Sequence, residues 1–146
     1  MDRRDFLKCS GKACAGIGLG LMFHTLLQSC AGGLSVVKLN QESGWVNVPL
    51  SQMEQNSFLM IRVKDFPFEI GLQKKKAGGF LALVLMCPHA NQPLTKAGSG
   101  YICTLHGSRF SKSGNLLKGP STTPLHELPV EQDAGYIKIR TGAFKA

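Results

Sequence analysis

Residues 80–110 read FLALVLMCPHANQPLTKAGSGYICTLHGSRF. Phe80 to Met86 is apolar without a break, a length that suits a strand covered on both faces. It runs directly into Cys87-Pro88-His89. A second predicted strand, Gly100 to Thr104, enters Cys103-Thr104-Leu105-His106 in the same way. Each strand thus delivers a thiol and an imidazole to a loop. Two thiols and two imidazoles at this tight spacing form a metal constellation. The default for two cysteines in an oxidising compartment is a disulfide, which would leave both histidines unexplained.

The chain around these loops reads as strands. Trp45 to Val48 is a short one, and Phe58 to Val63 is another. Ser51 to Glu54 has capping-box spacing, which predicts one helical turn. Phe66, Phe68, Ile70 and Leu72 alternate with Pro67, Glu69, Gly71 and Gln73, predicting a strand with one buried face. Lys74 to Gly79 is a hairpin tip. Leu125 to Val130 and Tyr136 to Arg140 are joined by a turn at residues 132–135. Trp45 is expected to anchor the core, and His126 to be an ordinary structural residue. No internal repeat is present. The prediction is all-β: an antiparallel β-sandwich or small barrel over residues 45–146, with the metal loops at one tip.

The N-terminus reads as an address. Arg3-Arg4, followed by Phe6-Leu7-Lys8, resembles a bacterial twin-arginine export signal. No charge occurs from Ala13 to Val37. Its strongly apolar part ends at Leu27 and is short beside the ~20 residues of a membrane span. Leu27-Gln28-Ser29-Cys30 resembles a lipobox, so Cys30 is the lipidation candidate. An uncleaved anchor using residues 13–37 is the alternative. Either way the expected plan is a signal over 1–29, Cys30 and a linker to residue 44, and a membrane-anchored domain in the bacterial cell envelope, outside the cytoplasmic membrane. Twin-arginine export suits a protein folded around its cofactor before export.

Composition narrows the function. The chain has 146 residues, 17 basic against nine acidic. From Cys30 onward 13 basic and seven acidic residues remain, scattered apart from Lys74-Lys75-Lys76. No basic stripe interleaved with aromatics appears, so nucleic acid is not an expected partner. The lysine run is expected to be a solvated hairpin tip rather than a docking site for an acidic redox partner. No polytopic pattern is present, which excludes a channel or multi-span transporter.

The ordered set Cys87-Pro88-His89, Cys103-Thr104-Leu105-His106-Gly107-Ser108 and Gly119-Pro120 resembles the Rieske family over roughly Trp45 to Arg140. The resemblance implies a Rieske-type [2Fe–2S] cluster. Cys87 and Cys103 would bind one iron, His89 and His106 the other. Two neutral imidazoles in place of two thiolates ease reduction relative to an all-cysteine cluster. The histidines would sit at an exposed tip as the electron exit, their protonation following the electron. Gly107, Ser108, Phe110, Gly119 and Pro120 would surround the ligands. Ser108 matches a position that donates a hydrogen bond to a bridging sulfide in high-potential members. Those members carry Tyr where this chain has Phe110, and a loop disulfide where it has Gln92 and Leu105. The loop of 13 residues from Ala90 to Ile102 is a little shorter than usual in the family. A potential below the quinol-oxidising members follows, inside the broad ~−150 to +300 mV Rieske window.

Three functions stay open. One is a one-electron carrier, or the electron-transfer subunit of a larger oxidoreductase, serving redox proteins such as a cytochrome. Another is the quinol-oxidising subunit of a cytochrome bc-type complex, disfavoured by Phe110 and the missing disulfide. The last is a zinc-stabilised binding module. No independent catalytic site is visible, and 146 residues leave no room for the mononuclear iron domain of a terminal oxygenase.

Overall fold

A computed structural model describes residues 33–145. Arg3, Arg4, Cys30 and the signal and lipobox readings lie outside them. The described chain is almost entirely strand. It begins with β1 (Val36–Leu39), β2 (Trp45–Pro49) and one helical turn, α1 (Leu50–Glu54). β3 (Phe58–Val63), β4 (Ile70–Lys74) and β5 (Phe80–Val84) form a meander. The pieces that carry the loops are β6 (Met86–Cys87), β7 (Gln92–Pro93), β8 (Thr95–Ala97), β9 (Gly100–Ile102), β10 (Arg109–Phe110) and β11 (Leu116–Lys118). The chain closes with β12 (Glu127–Leu128), β13 (Val130–Asp133) and β14 (Tyr136–Arg140).

A five-stranded sheet in the order β1-β3-β4-β5-β12 and a three-stranded sheet β13-β14-β2 make the base. Val46, Val48, Ile137 and Ile139 alternate inward from one sheet; Leu59, Ile61, Ile70, Leu72, Ala82 and Val84 do so from the other. Together they form the first core, between the inner faces of the two sheets. The opposite face of the meander builds a second core. Met60, Leu81, Leu83 and Leu85 point there, with Cys87, Cys103, Tyr101 and Phe110. Covering it is the four-stranded sheet β11-β10-β9-β8. The uninterrupted apolar run thus lies between two cores, as its sequence predicts, and Cys87 continues the 81-83-85 face.

Several expectations are corrected. β1 lies within the stretch expected to be a linker and pairs parallel to β3, Val36 opposite Met60. β4 starts only at Ile70 and is buried on both faces. Gly71 lies against Phe58 and Leu85, and Gln73 donates from Nε2 to the Lys112 carbonyl. A small residue and an amide on the second face imitated exposure in the pattern. α1 starts at Leu50 with Pro49 as its N-cap and no side-chain cap, so Ser51 does not cap it. Trp45 is only half-buried, with the Arg140 guanidinium 5.8 Å from its ring centroid. Among the described residues no helix is long and apolar enough to cross a membrane.

Candidate metal centre

The first loop is a tight hairpin. Cys87 pairs with Gln92 across it, and Asn91 takes a left-handed conformation, φ 50°, which Asn tolerates. The Leu94 N–H donates to the Leu85 carbonyl at 3.0 Å and closes its stem. The second loop spans Cys103 to Ser108 between β9 and β10. The Cys103 N–H donates to the Ser108 carbonyl at 2.9 Å, and the Gly107 N–H to the Cys103 carbonyl at 2.8 Å. Gly107 turns the chain with φ +80°, where a Cβ would be strained.

These loops bring the four ligand candidates together as two pairs. Cys87 and Cys103 are fully buried free thiols. Desolvation pushes the Cys103 thiol up, but the His106 and Leu105 N–H groups and the Cys87 side chain outweigh it and hold its pKa below the ordinary value. His89 and His106 are exposed, their rings perpendicular with centroids 5.1 Å apart. Among the described residues no three His, Cys, Asp or Glu side chains converge on a single ion. A two-iron centre with two protein ligands on each iron matches the two-and-two arrangement.

The surroundings also fit. Ser108 is fully buried, and its Oγ accepts the Ser121 N–H at 3.0 Å. Its own hydroxyl hydrogen meets no acceptor among the described residues, so it is left for an acceptor such as a sulfide. Ser121 follows the Gly119-Pro120 bond, which is cis, so this hydrogen bond ties the Gly-Pro loop to the second ligand loop. Phe110 is buried in the second core.

Sequence reasoning missed Ser121, which carries no signal beyond its place after Gly-Pro. It also missed Tyr101, whose buried hydroxyl has no partner and whose pKa burial pushes up to about 12. His126 is exposed, its ring against Phe144, in keeping with a structural role. Lys74, Lys75 and Lys76 are exposed, and Lys75 pairs with Glu127 at 3.1 Å.

Comparison with known proteins agrees with the geometry. The family model of the Rieske [2Fe-2S] domain matches residues 44–129. No curated protein matches the sequence. Among solved structures, the plasma membrane Rieske protein PetC3 from Synechocystis PCC 6803 superposes with a TM-score of 0.53 at 19% identity, covering 64% of this chain and 97% of that one. A chain of the complex of reduced oxygenase and oxidized ferredoxin in carbazole 1,9a-dioxygenase gives 0.50 at 21% identity, covering 68% and 95%. The quaternary ammonium Rieske monooxygenase CntA gives 0.54 at 23%, covering 67% of this chain and only 33% of that one. At these identities the likeness is one of fold.

Proposed function

The chain belongs to the Rieske [2Fe-2S] domain family, and on that premise we propose that it is an exported one-electron carrier, or the electron-transfer subunit of an oxidoreductase, held at the outer side of the cytoplasmic membrane. The domain binds a [2Fe–2S] cluster. Cys87 and Cys103 would hold one iron of it, His89 and His106 the other. When bound, the cluster takes up and returns one electron.

The chain's own residues give that exchange a direction. The observation that carries the proposal is the pair of exposed perpendicular imidazoles, 5.1 Å apart, beside two fully buried thiols. The thiols and the second core keep water from one side, while the imidazoles offer a short path to a partner. Ser108, whose Oγ accepts the Ser121 N–H, keeps a hydroxyl hydrogen that would favour the more negative, reduced state. Phe110 withholds the second such bond that high-potential members make, which supports a carrier over a quinol oxidase. Arg3-Arg4 support twin-arginine export, and Cys30 supports a lipid anchor.

Low-temperature EPR on the full chain in neutral detergent tests the cluster. A sample silent when oxidised, giving a Rieske-type signal after dithionite, is expected. A colourless protein with stoichiometric zinc, silent in both states, would overturn electron transfer. Mass spectrometry of the N-terminus tests the anchor: an unmodified chain beginning at Met1 would sink lipidation at Cys30.

A further inference from the structure

The sequence from Gly71 to His126 contains no Asp or Glu and seven Lys or Arg. Described residues 33–70 and 127–145 together hold seven acidic and six basic residues. All the acidic charge of the described chain therefore belongs to the base segments and β12. Everything that builds the ligand loops and their covering sheet is basic or neutral.

The fold places part of that charge beside the proposed exit. Thr95 of β8 pairs with Ile102 of β9, Ile102 with Arg109 of β10, and Arg109 with Lys118 of β11. These four residues form the row of the small sheet next to the loops. Ile102 precedes Cys103, Arg109 follows Ser108, and Lys118 precedes Gly119-Pro120. Arg109 and Lys118 are exposed cross-strand neighbours, and neither is in an ion pair among the described residues. Like charges directly opposite on a sheet destabilise it, so this pair opposes the fold locally. The acidic residues that flank this acid-free segment in sequence are engaged elsewhere: Glu69 with Arg62 at 2.6 Å, and Glu127 with Lys75 at 3.1 Å.

Apolar surface accompanies the charge. Leu105, in the second ligand loop, is 61% exposed, and Leu117, the extra residue where the β10–β11 register shifts, is 68% exposed. Exposed leucines beside unneutralised cations have the anatomy of a protein interface, apolar contact within a charged surround. We propose that Leu105, Leu117, Arg109 and Lys118, around His89 and His106, dock the acidic face of a redox protein. This deepens the electron-transfer proposal and rests on it. The occupant is a protein rather than an anionic membrane, because the imidazoles on this face need an acceptor centre opposite them, and a lipid headgroup plane offers none.

The test uses the reduced full chain in phosphatidylcholine nanodiscs. It passes one electron to ferricyanide, which becomes ferrocyanide, or to the cationic tris(phenanthroline)cobalt(III), which becomes cobalt(II). Ferricyanide oxidation should slow as salt rises, and oxidation by the cobalt complex should quicken, because screening weakens attraction in one case and repulsion in the other. An Arg109→Gln/Lys118→Gln variant should react several-fold more slowly with ferricyanide at low salt, whereas Lys64→Gln on the base should not change the rate. The EPR amplitude of each sample gives the concentration of intact reduced protein, so misfolding is not misread as slow transfer. Poly-L-glutamate, as a mimic of the acidic face, should slow ferricyanide oxidation of the parent and not of the double variant. Salt-independent rates, or a double variant like the parent, would overturn the proposal. So would phosphatidylglycerol in the nanodisc suppressing the rate through Arg109 and Lys118, because the occupant would then be the membrane. Fluorescence polarisation of labelled poly-L-glutamate needs no cluster. An absent EPR signal with stoichiometric zinc therefore sinks electron transfer, while polarisation still decides the basic face.

Discussion

The two faces of the β3–β5 meander bury side chains under different rules. Toward the first core every buried residue is aliphatic or methionine: Leu59, Ile61, Ile70, Leu72, Ala82 and Val84 meet Val46, Val48, Ile137 and Ile139. Toward the second core the same strands meet two thiols and a tyrosine, with Gln73 and Ser108 buried nearby. The first face needs only exclusion of water. The second contains two free thiols, proposed above as cluster ligands, and two buried polar atoms without partners, Gln73 Oε1 and the Tyr101 hydroxyl. The base is therefore expected to stand by its own packing, and the tip to depend for its order on what it holds.

Cys103→Ser puts that division to the hardest test. The variant is expected to lose the cluster completely, with no Rieske-type EPR signal. Hydrogen exchange should then show β2 and β14 amides as protected as in the parent, with protection lost in β9 and β10. If both regions lose protection together, the base is not independent and the comparison fails.

Ile61→Ala approaches from the other side. Ile61 is fully buried in the first core, and truncation there costs about 2–5 kcal/mol through lost transfer energy and a cavity. Urea unfolding should show that loss, while the reduction potential of the folded protein stays where it was. A shifted potential would mean that strain crosses the meander.

Ser108→Ala acts within the tip. The hydroxyl is assigned to a hydrogen bond that strengthens on reduction. Charged acceptors gain about 1 kcal/mol over neutral ones, which for one electron is about 40 mV at ~59 mV per tenfold. The potential should fall by that order in a redox titration. Stability should fall as well, because the Ser121 N–H loses its acceptor and an unsatisfied buried donor costs about 1–3 kcal/mol. A stability loss with an unchanged potential would keep Ser108 as a brace for the Gly-Pro loop and remove it as a tuning residue.

The sequence was legible where the chemistry is local. The thiol and imidazole follow each strand as spacing places them, although the second strand ends at Ile102; the hairpin tip starts one residue late, after Lys74, and the doubly covered run Phe80 to Met86 is interrupted at Leu85. Long-range pairing hid the rest. Val36 to Leu39 looks like linker until β3 is present to pair with it. Gln73 looks exposed until Lys112, far along the chain, accepts its amide. Ser121 gains its role only because a turn returns it to Ser108. Arg109 and Lys118 look scattered in sequence and become neighbours through a strand pairing.

Tyr101 gives the smallest expected effect and separates the two cores most finely. Its hydroxyl is buried without a partner, while its ring packs among apolar neighbours and lies 5.5 Å from the Lys96 ammonium. An unsatisfied buried hydroxyl is a net cost, and removing it while keeping the ring is close to neutral or stabilising. Tyr101→Phe should therefore leave stability at pH 7 unchanged or raised by less than about 1 kcal/mol, in contrast to the losses at Ile61 and Ser108. The pH dependence gives a second reading of the same group. Burial raises its pKa from 10.0 to about 12 in the folded protein. Below pH 10 the phenol is neutral in both states and the contribution is constant. As pH rises from 10 to about 12 the unfolded chain ionises first, so the folded state loses stability through that window. Urea unfolding of the parent at pH 9 and pH 11 should show that loss, and Tyr101→Phe should lack its share of it. An equal alkaline loss in both proteins would mean that the hydroxyl reaches water or a partner after all. Gln73 Oε1 would then be the one buried side-chain polar atom without a partner among the described residues.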